Sequence, residues 1–241
     1  MTLHAGTSGW AYKEWKPDFY PQKLPQRQWL EHYCSRLGAC EINATYYRLQ
    51  APDTFVKWLT STPDDFRFAA KAHRRITHRR KLAVDDATRA FLDRYLASVS
   101  TLGNKLGAIL FQFPPDTSRD DDALRSFLGA LPEDRPFAVE FRDDSWSDPS
   151  VADLIAERGG TVCVSHTSGE IPASLPPGPI GYVRLRSERY SDDQRESLRT
   201  VLLHEADRRD VFVFAKHEGI PVEDSYGGIG LACWLVANVA A

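Results

Sequence analysis

The feature that most constrains this chain is the run at residues 108–113, Ala-Ile-Leu-Phe-Gln-Phe, stopped at once by Pro114 and Pro115. The run is too short for a typical helix, and its hydrophobicity is continuous rather than alternating. A strand apolar on both sides has to be covered on both faces, as in a parallel sheet packed under helices. Parallel neighbours cannot be joined by a tight turn, so the chain must supply crossover segments between its strands.

It does so along its whole length. Strand-like stretches occur at residues 3–7, 40–43, 66–71, 108–113, 137–141, 161–165, 181–186 and 211–215. Helical patterns fall between most of them. Trp29, Tyr33 and Leu37 recur within 25–37, and Phe91, Tyr95, Val99 and Leu102 form a stripe within 85–102. Further helices fit 52–62, 121–131, 192–208 and 228–239, and one capped by Ser147 or Asp148 runs to 158. Residues 168–179 are too rich in Pro and Gly for a helix, so the crossover from strand six to strand seven is irregular. Eight alternating units in 241 residues predict an α/β fold, a single (β/α)8 TIM-type barrel spanning 1–241. An open doubly wound sheet is the alternative, but no Gly-rich dinucleotide fingerprint follows the first strand.

Composition narrows the function. The formal net charge is −3, which excludes a uniformly basic nucleic-acid binder and leaves any such role to a local patch. None of the four cysteines forms a C-x-x-C pair, so a cysteine zinc site is not expected. The start shows no basic segment followed by an apolar run, and no stretch reaches the ~18 apolar residues of a membrane span. The expectation is a cytoplasmic protein with no membrane association.

In a barrel of this type the site lies at the C-terminal ends of the strands. Those ends carry Ser8 and Trp10, Glu41 and Asn43, Lys71, Gln112, Glu140 and Arg142, Arg184 and Arg186, and Lys216, His217 and Glu218. Three strands end in two polar residues spaced by two, which point to the same face. The small residues from Gly6 to Gly9 let the backbone approach another strand or a ligand closely. The loop from Lys71 to Lys81 holds six cations and two histidines, and is either a solvated surface or an anion platform. Trp10, Tyr12, Trp15, Tyr46, Tyr47 and Trp146 are candidates to line the same mouth and stack a base or sugar, or else they are core. Glu41, Glu140, His217 and Glu218 are the residues that could meet around a divalent metal, but the spacing of His73 and His78 supports no helical metal pair and no H-E-x-x-H occurs. No cofactor is predicted.

These motifs resemble a known family. Gly6-Thr-Ser-Gly-Trp10, Phe19-Tyr20-Pro21, Glu41-Ile-Asn43 with Thr45-Tyr46-Tyr47-Arg48, and Phe66-Arg-Phe68 with Lys71 open the series. Thr77-His78, Leu110-Phe-Gln112-Phe-Pro114-Pro115, Val139-Glu140-Phe-Arg142 with Ser145-Trp146, and Tyr182-Val-Arg184-Leu185 complete it. In this order they are similar to the YecE-like family, a domain of unknown function. The resemblance implies a TIM-type barrel, no assigned activity, and a suggested likeness to metal-dependent DNA-repair endonucleases. Three positions depart from the family pattern. Arg186-Ser187 stands where His-Gly is common, Lys216-His217 where an Asn-containing strand end is usual, and Ser165 near the place of a frequent Asp. The departures make this mouth more basic.

The resulting expectation is an enzyme, a hydrolase among the options, acting on an anionic substrate that contains phosphate, with nucleic acid as one version. Glu41 or Glu140 would be general base or acid. Ser8, Trp10, Asn43, Tyr46, Lys71, Gln112, Arg142, Trp146, Arg184, Arg186 and Lys216 would contact substrate. The alternative is a non-catalytic binder of nucleic acid or a small anion.

Overall fold

The computed structural model describes residues 2–218 and 220–239. Its parallel strand segments are β1 (Leu3–Ser8), β2 (Ala39–Ile42), β3 (Arg67–Lys71), β4 (Leu106–Gln112), β5 (Phe137–Glu140), β6 (Gly160–Val162), β7 (Val164–His166), β8 (Ile180–Leu185) and β9 (Asp210–Ala215). They form one sheet in the order β6-β5-β4-β3-β2-β1-β9-β8-β7. The strand expected at 161–165 is divided at Cys163. Its first half pairs with β5 and its second half with β8. The two ends of the ladder are therefore consecutive in the chain, and the sheet curls back on itself as a nearly closed α/β barrel.

The helices stand where the apolar periodicity put them, usually ending a little early. Asp86–Val99 starts from an Asp85 side chain that accepts the Thr88 amide at 2.7 Å, and it buries Phe91, Leu92, Tyr95 and Val99. The basic stretch 71–81, read from sequence as loop, contains one helical turn, Arg74–Thr77, because Ile76 and Thr77 turn inward and are fully buried. The crossover at 168–179 is irregular, as its prolines and glycines require.

Alternation along the strands divides the apolar residues into two populations. Cys40, Ile42, Phe68, Ala70, Phe111 and Val139 pack outward against helices. Ala39, Ala69, Leu110, Ala138, Tyr182 and Phe214 belong to a separate cluster inside the barrel. Small alanines on β2, β3 and β5 leave room for the large rings of β8 and β9, so the interior is filled and is not a pore. Burying each such ring contributes roughly 1.5–3 kcal/mol. Gly6 belongs to the same packing. A Cβ there would lie 1.8 Å from the Ala39 carbonyl oxygen, so the small residue serves the approach of β1 to β2. The next inward position beyond the apolar layer is Ser8 on β1, Glu41 on β2, Lys71 on β3, Gln112 on β4, Glu140 on β5 and Arg184 on β8.

Candidate anion-binding mouth of the barrel

Arg184 lies at the centre of the barrel's upper layer, 4% exposed, and its guanidinium spans the barrel. Nε donates to Glu41 Oε2 at 3.0 Å and Nη2 to Glu41 Oε1 at 2.9 Å, while Nη1 donates to Glu140 Oε2 at 2.7 Å. β2, β5 and β8 are thereby tied together through one buried cation. Glu41 is fully buried and also accepts from Ser8 Oγ at 2.7 Å and Tyr182 Oη at 2.8 Å. All four of its accepting directions are filled.

The electrostatics follow from this arrangement. Burial alone would raise the pKa of Glu41, but Arg184, helped by Arg186, outweighs it and holds the carboxyl at about 2. Burial also opposes ionisation of Glu140, and Arg184 again wins and keeps it below the usual range. Both carboxylates are thus held as anions that share one guanidinium. The expected general acid or base at Glu41 is corrected: with no free lone pair and no exposure, it holds Arg184 and Ser8 in place. Glu140 has one further contact, from Arg142 Nε at 3.4 Å.

Above this layer the charge is one-sided. Arg186 leaves the end of β8 and donates through Nη2 to Ser8 Oγ at 2.7 Å and to the Phe214 carbonyl at 3.1 Å. Its Nε is buried without a partner, and no carboxylate pairs with it among the described residues. Burial, with Arg184 beside it, pulls its pKa below the ordinary arginine value. Lys71 Nζ donates to Gln112 Oε1 at 2.8 Å and sits 4.4 Å from the Tyr46 ring centroid. Burial, then Arg184, lowers its pKa to about 8. Gln112 Nε2 is a second buried donor without a hydrogen-bond partner. Lys216 follows Ala215, the register partner of Leu185, so Lys216 and Arg186 leave adjacent strands side by side. Arg142 stands at the rim, its side chain 51% exposed.

The remaining candidates divide. Asn43 lies beyond β2, in helical conformation, so the period-two argument does not reach it. It still turns to the mouth and donates from Nδ2 to the Ser8 carbonyl at 3.2 Å. Tyr46 is carried on the helical turn Ala44–Tyr47 and lies under Lys71. Trp10 faces a side cavity of about 240 Å³ shared with Tyr12, Trp58, Ile42 and Asn43, not the cations. Trp146 is corrected to a core residue. It is buried, stacks on Phe141 at 4.0 Å and donates from Nε1 to the Thr117 carbonyl at 2.7 Å. In the basic loop, Arg80 pairs with Asp85 and Lys81 with Asp116, so part of its charge is neutralised away from the mouth.

The four residues considered for a metal are not assembled as one. Glu41 and Glu140 hold a guanidinium between them, and His217 Nε2 pairs with Glu218 at 3.1 Å while its ring stacks on Tyr12 at 3.8 Å. Among the described residues no group of three His, Cys, Asp or Glu side chains is arranged to hold an ion. Tyr182 was read from sequence as part of the strand motif but not as a candidate site residue. Its place two residues before Arg184, on the same face of the strand, was the available signal. No helix among the described residues is long and apolar enough to cross a membrane.

Comparison with known proteins agrees with the motif reading. The family model "Protein of unknown function DUF72" matches residues 4–221, which include all the strands but for Leu3 and every side chain of the mouth. The chain belongs to this family. Among curated DUF72-type relatives, the UPF0759 protein YunF of Bacillus subtilis strain 168 is 31% identical over 152 residues, covering 61% of this chain and 53% of YunF. The UPF0759 protein YecE of Escherichia coli strain K12 is 31% identical over 169 residues, covering 69% of this chain and 59% of YecE. The matches thus span little more than half the length of these relatives. A crystal structure of a DUF72 family protein from Thermotoga maritima superposes with a TM-score of 0.72 at 24% identity, covering 89% of this chain and 92% of that one, and shows the shared fold.

Proposed function

We propose that this DUF72 barrel binds an anionic, phosphate-containing substrate at its C-terminal mouth and acts on it there. The observation that carries the reading is Arg186, a half-buried guanidinium with a buried, unpartnered Nε and no carboxylate paired with it among the described residues. A half-buried cation with a desolvated, unpartnered N–H and no direct ion pair is costly, and an anionic ligand lowers that cost. Lys71 and Arg142 are close enough to interact, Lys216 leaves the strand beside Arg186, and the carboxylates beneath are already held by Arg184. The geometry favours an anion over a cation, and a small phosphate ester over a long polymer, because the convergent groups are half-buried and the outer arginines are partly paired. Saturation of Glu41 removes the simplest acid–base catalyst, and this favours the second reading, a non-catalytic anion binder.

The test is calorimetric titration with inorganic phosphate and pyrophosphate at low and high salt, for the native chain and Arg186→Gln. Binding that weakens with salt and drops at least tenfold in Arg186→Gln, about 1.4 kcal/mol, is expected. Equal affinity in the two proteins would show that the mouth is not the anion site. Competition by a short single-stranded oligonucleotide, stronger than pyrophosphate, would shift the substrate to nucleic acid.

A further inference from the structure

Two lysines, Lys105 and Lys71, have amines drawn out of solvent, and they are handled in opposite ways. Lys105 Nζ is fully used. It donates to the Leu59 carbonyl at 2.9 Å, the Thr62 carbonyl at 2.6 Å and Thr62 Oγ1 at 3.3 Å, on the helix side of the sheet. That is a structural lysine. Lys71 ends β3 at an inward position and has a single acceptor, Gln112 Oε1. No carboxylate lies within 4.0 Å of its Nζ among the described residues. The groups that face it are Arg184, Glu41 and Glu140 from the buried layer, Arg142 from the end of β5, and Tyr46 and His78 from the loops. Glu41 and Glu140 share the single guanidinium of Arg184, so Lys71 faces two cations and two carboxylates at a distance, and burial is the largest influence on its amine.

We propose that Lys71 is an imine-forming lysine, whose Nζ condenses with the aldehyde or ketone carbon of a substrate that carries its anionic group toward Arg186. The inference rests on the anion-binding reading of the mouth and adds the second functional group the substrate must have. An amine nucleophile has to be neutral, partly desolvated and held without a counter-ion, and a neighbouring cation achieves this. Its pKa of about 8 leaves a useful neutral fraction near neutrality. In the step itself, the Nζ lone pair adds to the carbonyl carbon to give a carbinolamine. The two nitrogen hydrogens of the neutral amine then leave with the oxygen as water, and a carbon–nitrogen double bond remains. Once protonated, the imine accepts the electron pair of a bond broken at the adjacent carbon. The fitting reaction class is making or breaking a bond next to a carbonyl, and hydrolysis of the imine returns the amine. Gln112 Oε1 holds the amine before attack, and its unpartnered Nε2 is a donor close by.

The experiment is reductive trapping of the whole chain with cyanoborohydride and three probes: dihydroxyacetone phosphate, pyruvate and acetone. Adducts are located by peptide mass spectrometry, with phosphate binding measured in parallel. The expected result is one reduced adduct on Lys71, at least tenfold above any other lysine, with the two anionic probes. Excess inorganic phosphate suppresses it. Lys71→Arg, which keeps the charge, gives no adduct, and Lys105 remains unlabelled in both proteins. If phosphate binds but labelling is scattered over exposed lysines or misses Lys71, the imine is overturned while the anion site stands. If acetone labels Lys71 as readily as the anionic probes and phosphate neither binds nor protects, the anion reading fails and with it the proposed substrate class.

Discussion

Replacing Arg184 by Met removes the one cation that both buried carboxylates bind directly. Glu41 keeps only the hydroxyls of Ser8 and Tyr182, and Glu140 keeps a 3.4 Å contact from a half-exposed arginine. Breaking a buried pair from one side costs about 3–5 kcal/mol, because the remaining charge has no water and no partner. That is a large part of the ~5–15 kcal/mol expected for a domain. The sign of the pH dependence is the sharper test. In the native protein Glu41 is held at about 2 against an ordinary 4.5. Its contribution is therefore present above pH 4.5 and lost as pH falls toward 2, on the order of 3 kcal/mol at ~1.36 kcal/mol per pH unit. In Arg184→Met, burial acts without the opposing cation, and both carboxyls move above their ordinary values. The folded state then binds more protons than the unfolded one above about pH 4.5, so stability falls as pH rises through that window. Urea unfolding followed by tryptophan fluorescence at a series of pH values measures both slopes. A variant that loses less than about 1 kcal/mol at pH 7, or keeps the native pH slope, refutes the buried triad as the element that ties β2, β5 and β8 together. Adding Glu41→Gln and Glu140→Gln to the same variant should recover much of the loss, since no charge is then stranded.

Two further substitutions separate scaffold from site. Tyr182→Phe removes one donor from a buried carboxylate and should cost about 1.5–3 kcal/mol in urea unfolding, with an unchanged m-value. Trp146→Phe loses the bond to the Thr117 carbonyl and part of the stack on Phe141, and should lower stability by about 1–2 kcal/mol while phosphate affinity stays as in the native chain. A weakened phosphate affinity in Trp146→Phe would return that residue to the mouth.

The barrel was legible because its evidence is periodic. Continuous apolar strands, alternating helical stripes and strand ends with polar pairs each repeat, and agreement among them fixes the architecture. Alternation also identified the inward rim, since Glu41, Lys71, Gln112, Glu140 and Arg184 share the parity of Ala39, Ala69, Leu110, Ala138 and Tyr182. What alternation does not carry is reach across the barrel. That Arg184 on β8 meets Glu41 on β2 and Glu140 on β5 depends on the curl of the sheet, and on alanines that leave the centre open to a long side chain. Trp146 was misread for a related reason. Its neighbour Phe141 and the carbonyl of Thr117 come from segments that only the fold brings beside it.

The same residues decide stability and chemistry, but in different layers. Below, two carboxylates close on one guanidinium, and Glu41 is left with no free lone pair. Above, Arg186 reaches Ser8, and Ser8 reaches Glu41, so the orientation of the unpaired cation is set by the paired layer beneath it. Glu41 thus acts on a ligand only through Ser8 and Arg186, as a positioning residue. A charge fixed by a buried network needs little rearrangement when an anion arrives, which is the advantage of a preorganised site. Lys71 is the exception in this layer, because one neutral acceptor holds it and no carboxylate does. It is the group left free to change its protonation state, and for that reason the imine proposal is built on it and not on the glutamates.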